Sequence, residues 1–103
     1  MRNSNPIQIL VVDDEQSIRR LIDKELSSPE RLITTAGTAE EAFARVRKKR
    51  FDVIVLDIQL PDGNGLELME RFQELVPGVE IILITGYGDI DSAVEAMKMS
   101  AYD

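Results

Sequence analysis

Three stretches of this 103-residue chain carry side chains able to do chemistry, and each follows a short apolar run. Asp13-Asp14-Glu15 comes directly after residues 7–12, Asp57 after residues 53–56, and Thr85-Gly86 after residues 79–84. If those runs are neighbouring strands, three carboxylates and a hydroxyl converge at one sheet edge. Like charges a few ångströms apart resist joint ionisation, so such packing is costly unless something neutralises it. A hard divalent cation does so. Mg²⁺ takes oxygen ligands and keeps several waters, so two carboxylates and a carbonyl suffice to hold it. Asp57 could then attack a phosphoryl group, with Thr85 and nearby amides holding the transferred oxygens. Taken singly, each residue has an ordinary role. Asp13 or Asp14 could cap a helix, Asp57 could end a strand, and Thr85 before glycine could form a turn. The joint pattern is what resists that account, because each residue falls where its strand leaves the core.

Other chemistries are excluded by what the chain lacks. Without cysteine there is no disulfide framework, no thiolate-held metal and no cysteine nucleophile. Without histidine there is no imidazole catalysis, no common zinc site and no hydrolase triad. Gly63-Asn64-Gly65 and Gly86-Tyr87-Gly88 supply G-x-G, but neither has the third glycine or a Gly-Lys-Ser/Thr ending. Counted from Asp57, a calcium loop would need glycine at Asp62, and proline occupies the position before it. The balance of 12 Lys+Arg against 19 Asp+Glu leaves a net charge of −7, which argues against direct nucleic-acid contact. The basic run Arg45, Arg47, Lys48, Lys49, Arg50 reads as a solvated helix end that complements the helix dipole. No apolar run approaches the ~20 residues of a membrane span, and the first residues lack a signal-peptide core, so a cytoplasmic setting is expected.

The elements that must position these residues alternate. Residues 7–12, 53–56 and 79–84 are β-branched runs that read as strands buried on both faces, and residues 31–36 (RLITTA) suit an edge strand. Between them lie four helical stripes. Ile18, Leu21, Ile22 and Leu26 place a helix over residues 16–27, and Ala39, Ala42, Phe43 and Val46 place a second, with Thr38 and Glu41 as a capping box. Leu68, Met69, Phe72, Leu75 and Val76 mark a third after the turn 61–65. Ile90, Ala93, Val94, Met97 and Ala101 mark a fourth, with Asp89 as its N-cap; Met99 is out of phase with that stripe. The resulting β-α-β-α-β-α-β-α string predicts one α/β domain over residues 1–103: a doubly wound, open parallel sheet with helices on both faces, and with residues 1–5 flexible. In such folds the reactive crevice lies beyond the carboxyl ends of the strands.

These motifs together resemble the receiver domain of two-component response regulators. The resemblance rests on Asp13-Asp14-Glu15, the strand ending at Asp57, the loop Leu60-Pro61-Asp62-Gly63-Asn64-Gly65 and Ile84-Thr85-Gly86-Tyr87-Gly88, four motifs in order across nearly the whole chain. Residues 85–103 further resemble receivers of NtrC-like transcriptional activators. The resemblance implies a flavodoxin-like fold with strand order 2-1-3-4 over the four strands present. It implies Asp57 as phosphoacceptor from a sensor histidine kinase. It also implies Mg²⁺ held by Asp14, Asp57 and the backbone carbonyl of Gln59, with Asp13 acting mainly through water. Thr85 would contact the phosphoryl group and act as the switch. Gln59 and Tyr87 would tune acyl-phosphate lifetime, and the fourth helix would be the output surface. The domain would be no enzyme beyond assisting its own phosphoryl transfer and dephosphorylation.

The chain departs from that pattern at its end. A fifth strand, a lysine followed by proline, and a fifth helix would follow Asp103, and neither Lys98 nor Tyr102 substitutes for the family's pocket lysine or switch aromatic. This predicts a truncated domain with a crippled response to phosphorylation. Its fourth strand would present an exposed edge over residues 81–84, and the sheet face beside the first helix would keep an uncovered apolar patch. Self-association through that edge or the fourth helix, including an exchange of elements between copies, is expected, or else marked instability. Two other functions compete: an interaction module whose acidic pocket does not signal, and a Mg²⁺-dependent phosphatase. The phosphatase is disfavoured by Gln59, which stands where a general acid two residues after the nucleophile would help.

Overall fold

The computed structural model describes residues 5–85 and 87–98, without the side chains of residues 87, 88 and 96. In chain order the elements are β1 (Ile7–Val12), α1 (Gln16–Leu26), β2 (Arg31–Ala36), α2 (Ala39–Lys48), β3 (Val53–Asp57), β4 (Gln59–Leu60), β5 (Gly63–Asn64), α3 (Gly65–Leu75), β6 (Glu80–Ile84) and α4 (Tyr87–Lys98). Four parallel strands form one sheet in the order β2-β1-β3-β6, which is the expected 2-1-3-4 order with β6 as the fourth strand. β4 and β5 form a two-residue antiparallel ladder in the loop after Asp57, which the sequence did not announce.

Alternation along the strands splits the core into two layers. Ile9, Val11, Val53, Val55 and Ile84 face α1, while Leu10, Val12, Ile54 and Leu56 face α2 and α3. Phe43 of α2 stacks on Phe72 of α3 with ring centroids 4.6 Å apart, and the Arg71 guanidinium lies 4.3 Å above the Phe43 ring. Such a ring pair is worth about 0.5–1.5 kcal/mol beyond its buried area. β1 and β3 are buried on both faces as expected. β6 is not: only Ile84 is fully buried, because β6 is the outer strand of the described sheet. At its entry, Val76-Pro77-Gly78-Val79 makes a type II turn, with the Val79 amide donating to the Val76 carbonyl at 3.1 Å and Gly78 at φ +86°.

Three readings need correction. Leu75 belongs to no buried stripe; it is 54% exposed, and Val76 takes the inward position at the end of α3. Asp89 is not the cap of α4, because the helix begins two residues earlier, at Tyr87. The sheet face beside α1 is not left uncovered: α4 lies on it, with Ile90, Ala93, Val94 and Met97 packed among Ile18, Ile22, Leu26, Val53 and Val55, and Lys98 paired with Glu25 at 3.7 Å. Right-handed crossovers assign α1 to one face and α2 and α3 to the other. α4 precedes no strand among the described residues, so burial of its apolar stripe alone decides its face. On the opposite face Val79, Ile81 and Leu83 remain partly exposed. Residues 1–4, Gly86, Met99, Ala101 and Tyr102 lie outside the described residues.

Candidate functional site

The last four residues of β1 are fully buried, and the chain turns polar where it leaves the sheet. Asp13 continues the ladder by one step, its amide donating to the Ala36 carbonyl at 3.1 Å. That step keeps Asp13 in the interior at 2% exposure, the one buried charged residue among the described residues. Its carboxylate accepts the Glu15 amide at 2.9 Å, and its carbonyl accepts Nη1 of Arg19 at 2.6 Å. Asp13 thus organises the entry to α1 without being its cap; the N-cap is Glu15, which makes no side-chain capping bond. Asp14 is exposed beside it.

β3 pairs with β1 in register from Ile9 opposite Val53 to Val12 opposite Leu56, which brings Asp57 level with the Asp13 turn. Carboxylate oxygens of Asp13, Asp14 and Asp57 lie within 4.8 Å of one another. Burial pushes the Asp13 carboxyl up to about 6, aided by the charges of Asp57, Asp14 and Glu15 and opposed by the Glu15 amide. Asp57 is also raised, first by burial and then by Asp14 and Glu15, against the Gln59 amide that donates to its Oδ1 at 3.0 Å. An all-oxygen donor set with two carboxyls held above their usual range suits a hard divalent cation, whose charge would reverse both shifts.

The loop after Asp57 is braced on three sides. Gly65 opens α3 so close to β3 that a Cβ there would fall 2.3 Å from Ile58 Cα and 3.1 Å from the Asp57 carbonyl oxygen. Its amide donates to the Ile58 carbonyl at 2.9 Å, and the Asn64 side chain caps the amides of Leu66 and Glu67. The Asp62 carboxylate reaches across to α2, accepting the amides of Ala39 at 2.8 Å and Glu40 at 3.1 Å. The Thr38 hydroxyl accepts the Glu41 amide as expected, but the Glu41 carboxylate takes the Gly37 amide at 2.6 Å, so the capping box is shifted by one residue.

Ile84 pairs with Asp57 in register, and its carbonyl accepts the Ile58 amide at 3.1 Å. Thr85 therefore leaves the sheet beside Asp57, exposed, with its amide donating to Oδ2 of Asp89 at 2.7 Å and its hydroxyl bonded to the same oxygen. Of the residues expected at the site, Asp13, Asp14 and Asp57 converge, Gln59 touches Asp57 through its amide, and Thr85 stands at the adjoining strand end. Tyr87 is the first residue of α4, and its side chain lies outside the described residues. Lys98, on α4, is paired with Glu25 of α1. Arg19, Asp62 and Asp89 were not singled out for these contacts. Only Asp89 carried a local signal, a carboxylate four residues after Thr85.

A parallel α/β sheet with a carboxylate trio at its carboxyl edge defines a class, and comparison with known proteins agrees. Residues 9–103 match the response regulator receiver domain. The chain belongs to that family. It is 36% identical over 94 residues to the response regulator PilR of Pseudomonas aeruginosa, covering 91% of this chain and 21% of PilR. It is 33% identical to the transcriptional regulator NtrC of Salmonella typhimurium over 92% of this chain and 20% of NtrC. Among solved structures, the response regulator TrrA of Thermotoga maritima in complex with Mg²⁺-BeF superposes with a TM-score of 0.71 at 35% identity, over 88% of this chain and 79% of that one. The chain thus spans about a fifth of the length of the two curated regulators. No helix among the described residues is long and apolar enough to cross a membrane.

Proposed function

We propose that this receiver domain accepts a phosphoryl group on Asp57 from a phosphohistidine of a sensor kinase, in a cytoplasmic setting. The observation that supports it most directly is the convergence of Asp13, Asp14 and Asp57 within 4.8 Å at the strand ends. Asp13, Asp14 and Asp57, with the Gln59 carbonyl, would hold Mg²⁺, which supplies positive charge to offset the carboxylates and the incoming phosphoryl oxygens. A carboxylate oxygen of Asp57 attacks phosphorus; an O–P bond forms as the N–P bond to the kinase histidine breaks, leaving an acyl phosphate. The Gln59 amide steadies the other Asp57 oxygen, and the braced loop 58–65 keeps that oxygen fixed in direction. Thr85 then donates to the phosphoryl group, and α4, which begins two residues on, carries the change outward. Gln59 and Tyr87, each two residues past a reacting position, tune the lifetime of the acyl phosphate. The domain is no enzyme beyond this self-assisted transfer and its own dephosphorylation, in which water takes the phosphoryl group from Asp57, and it makes no direct contact with nucleic acid. The test is intact mass after incubation with a small phosphodonor. One phosphoryl group should be gained with Mg²⁺ present, none with chelator, and none in Asp57→Asn; equal gain in Asp57→Asn refutes the assignment.

A second reading, an interaction module, is favoured by β6. It is the outer strand of the described sheet, and Ile81, Ile82 and Leu83 on it are only partly buried. Pairing of β6 with a second copy would give a concentration-dependent mass in light scattering, and a chain without mass gain that self-associates would support this reading over the first.

A further inference from the structure

Thr85 offers two donors, its amide and its hydroxyl, and Oδ2 of Asp89 accepts both. We propose that Asp89 is an intramolecular competitor for Thr85: its carboxylate holds the donors that a phosphoryl group on Asp57 requires, and so sets how tightly that group is bound. The proposal rests on the phospho-acceptor reading above and adds a residue that sets its balance.

Two directions within the protein are open to Thr85. A hydroxyl has one proton to donate. The strand before it is fixed, since Ile84 is in register with Asp57 and its carbonyl is taken by the Ile58 amide. Within the protein, Thr85 can turn toward the Asp57 side or the α4 side, and in this structure it is bound to the α4 side. Both bonds keep the Asp89 carboxyl below the usual carboxylate range, so the competitor is an anion at neutral pH. A phosphoryl oxygen must displace one anionic acceptor with another, and charge-assisted bonds are about twice as strong as neutral ones. Asp89 is also the third residue of α4, so releasing Thr85 unties the first turn of that helix from β6. The plainer account makes Asp89 a helix-end carboxylate that favours the α4 dipole and nothing more. The two accounts differ in what Asp89→Asn does to phosphoryl binding. The cap account predicts a less stable α4 and unchanged affinity, whereas competition predicts tighter binding.

Beryllofluoride with Mg²⁺ is the probe, titrated into the full chain and followed by amide resonances. Asp89→Asn should bind it about 3- to 10-fold more tightly than the wild type, as expected when a charged acceptor becomes a neutral one. In a Thr85→Ala background the same substitution should give a clearly smaller gain, because only the amide is left to release. Unchanged affinity in Asp89→Asn overturns the proposal. So does an equal gain in the Thr85→Ala background, which would mean that removing a nearby negative charge suffices. In the wild type, independent of any variant, the Thr85 amide resonance should move as the site saturates; a resonance that stays in place also overturns it. A wild-type chain that does not bind beryllofluoride at all defeats the phospho-acceptor reading, and the competition with it.

Discussion

Replacing Gly65 by alanine tests how tightly the first turn of α3 is coupled to the acidic site. In an ordinary helix the change is favourable by up to about 1 kcal/mol, because glycine gives up more backbone freedom. Here the added methyl would stand 2.3 Å from Ile58 Cα, where ordinary contact begins at 3.4 Å. Helix and strand must separate by about 1.1 Å, and the obstacle is backbone rather than a side chain that can swing aside. Overpacking of that kind costs about 1–3 kcal/mol, occasionally more, and outweighs the propensity gain. A net loss of about 1–2 kcal/mol should lower the urea midpoint by roughly 1 M for a chain of this size. Because the displaced segment is Asp57–Ile58 itself, Mg²⁺ affinity should fall by about tenfold or more, as for other perturbed supports of a metal site. Gly63→Ala is the matched control. Its methyl would meet Cδ1 of Leu68 at 2.9 Å, the far end of a flexible side chain, so it should cost clearly less. Urea denaturation and calorimetric Mg²⁺ titration measure both quantities. A Gly65→Ala chain with wild-type midpoint and wild-type Mg²⁺ affinity would refute the coupling.

Three further outcomes are expected. Asp13 titrates near 6 in the folded chain against 3.8 for an ordinary aspartate, so the folded state binds the extra proton. The contribution of Asp13 to stability is therefore fully present below 3.8, falls as pH rises through that window and is gone above it; from pH 7 down to pH 5 the Mg²⁺-free chain should gain about 1 kcal/mol from this group. Asp57 shifts in the same direction, while Asp62 and Asp89, held low, withdraw their support mainly below 3.8, so urea midpoints at pH 5 and 7 should show the gain and saturating Mg²⁺ should remove it. Asp62→Ala should cost about 1 kcal/mol by uncapping two amides of α2, with Asp62→Asn costing less, as read by thermal melting. Phe72→Ala, at a fully buried position stacked on Phe43, should cost about 3–5 kcal/mol, whereas Leu75→Ala at the exposed end of the same helix should stay within about 0.5 kcal/mol.

The carboxylate trio was legible because strand periodicity locates strand ends. A β-branched run that stops at an aspartate says where the chain leaves the core, and parallel packing brings such exits together. α3 was legible in kind but not in phase: Leu68, Phe72 and Val76 recur every four residues on the inward side, and Leu75 sits a helical step away from that line. The face taken by α4 was not legible. An apolar stripe shows that a helix buries one side, but the crossover rule needs a following strand to say which side of the sheet it covers. Contacts such as Asp62 with Ala39 span more than twenty residues and have no local signature. Asp89 was misread for a local reason, since its helix begins before the apolar stripe does.

The site joins a rigid half to a half that can move. Asp13 and Asp57 sit on strands held in register by buried partners, and the Asp57 loop is braced by Gly65, Asn64 and Asp62. A ligand cannot shift that half without breaking the sheet. Thr85 is exposed, held through two bonds to one carboxylate, and leads directly into α4. A ligand shifts an equilibrium only by the difference in its affinity for two states. On the rigid side that difference is the relief of crowded carboxylates, which favours binding of a cation but selects no conformation. Under the competition proposed above, selection comes from Thr85, whose partners would differ between the two states. On that reading the response of this domain should scale with what holds Thr85 back rather than with how strongly the acidic trio would bind a cation. Variants of Arg19 or Asp62 should change Mg²⁺ affinity or stability while leaving the position of α4 alone, and amide shifts along α4 that followed those variants instead of Thr85 would contradict this division.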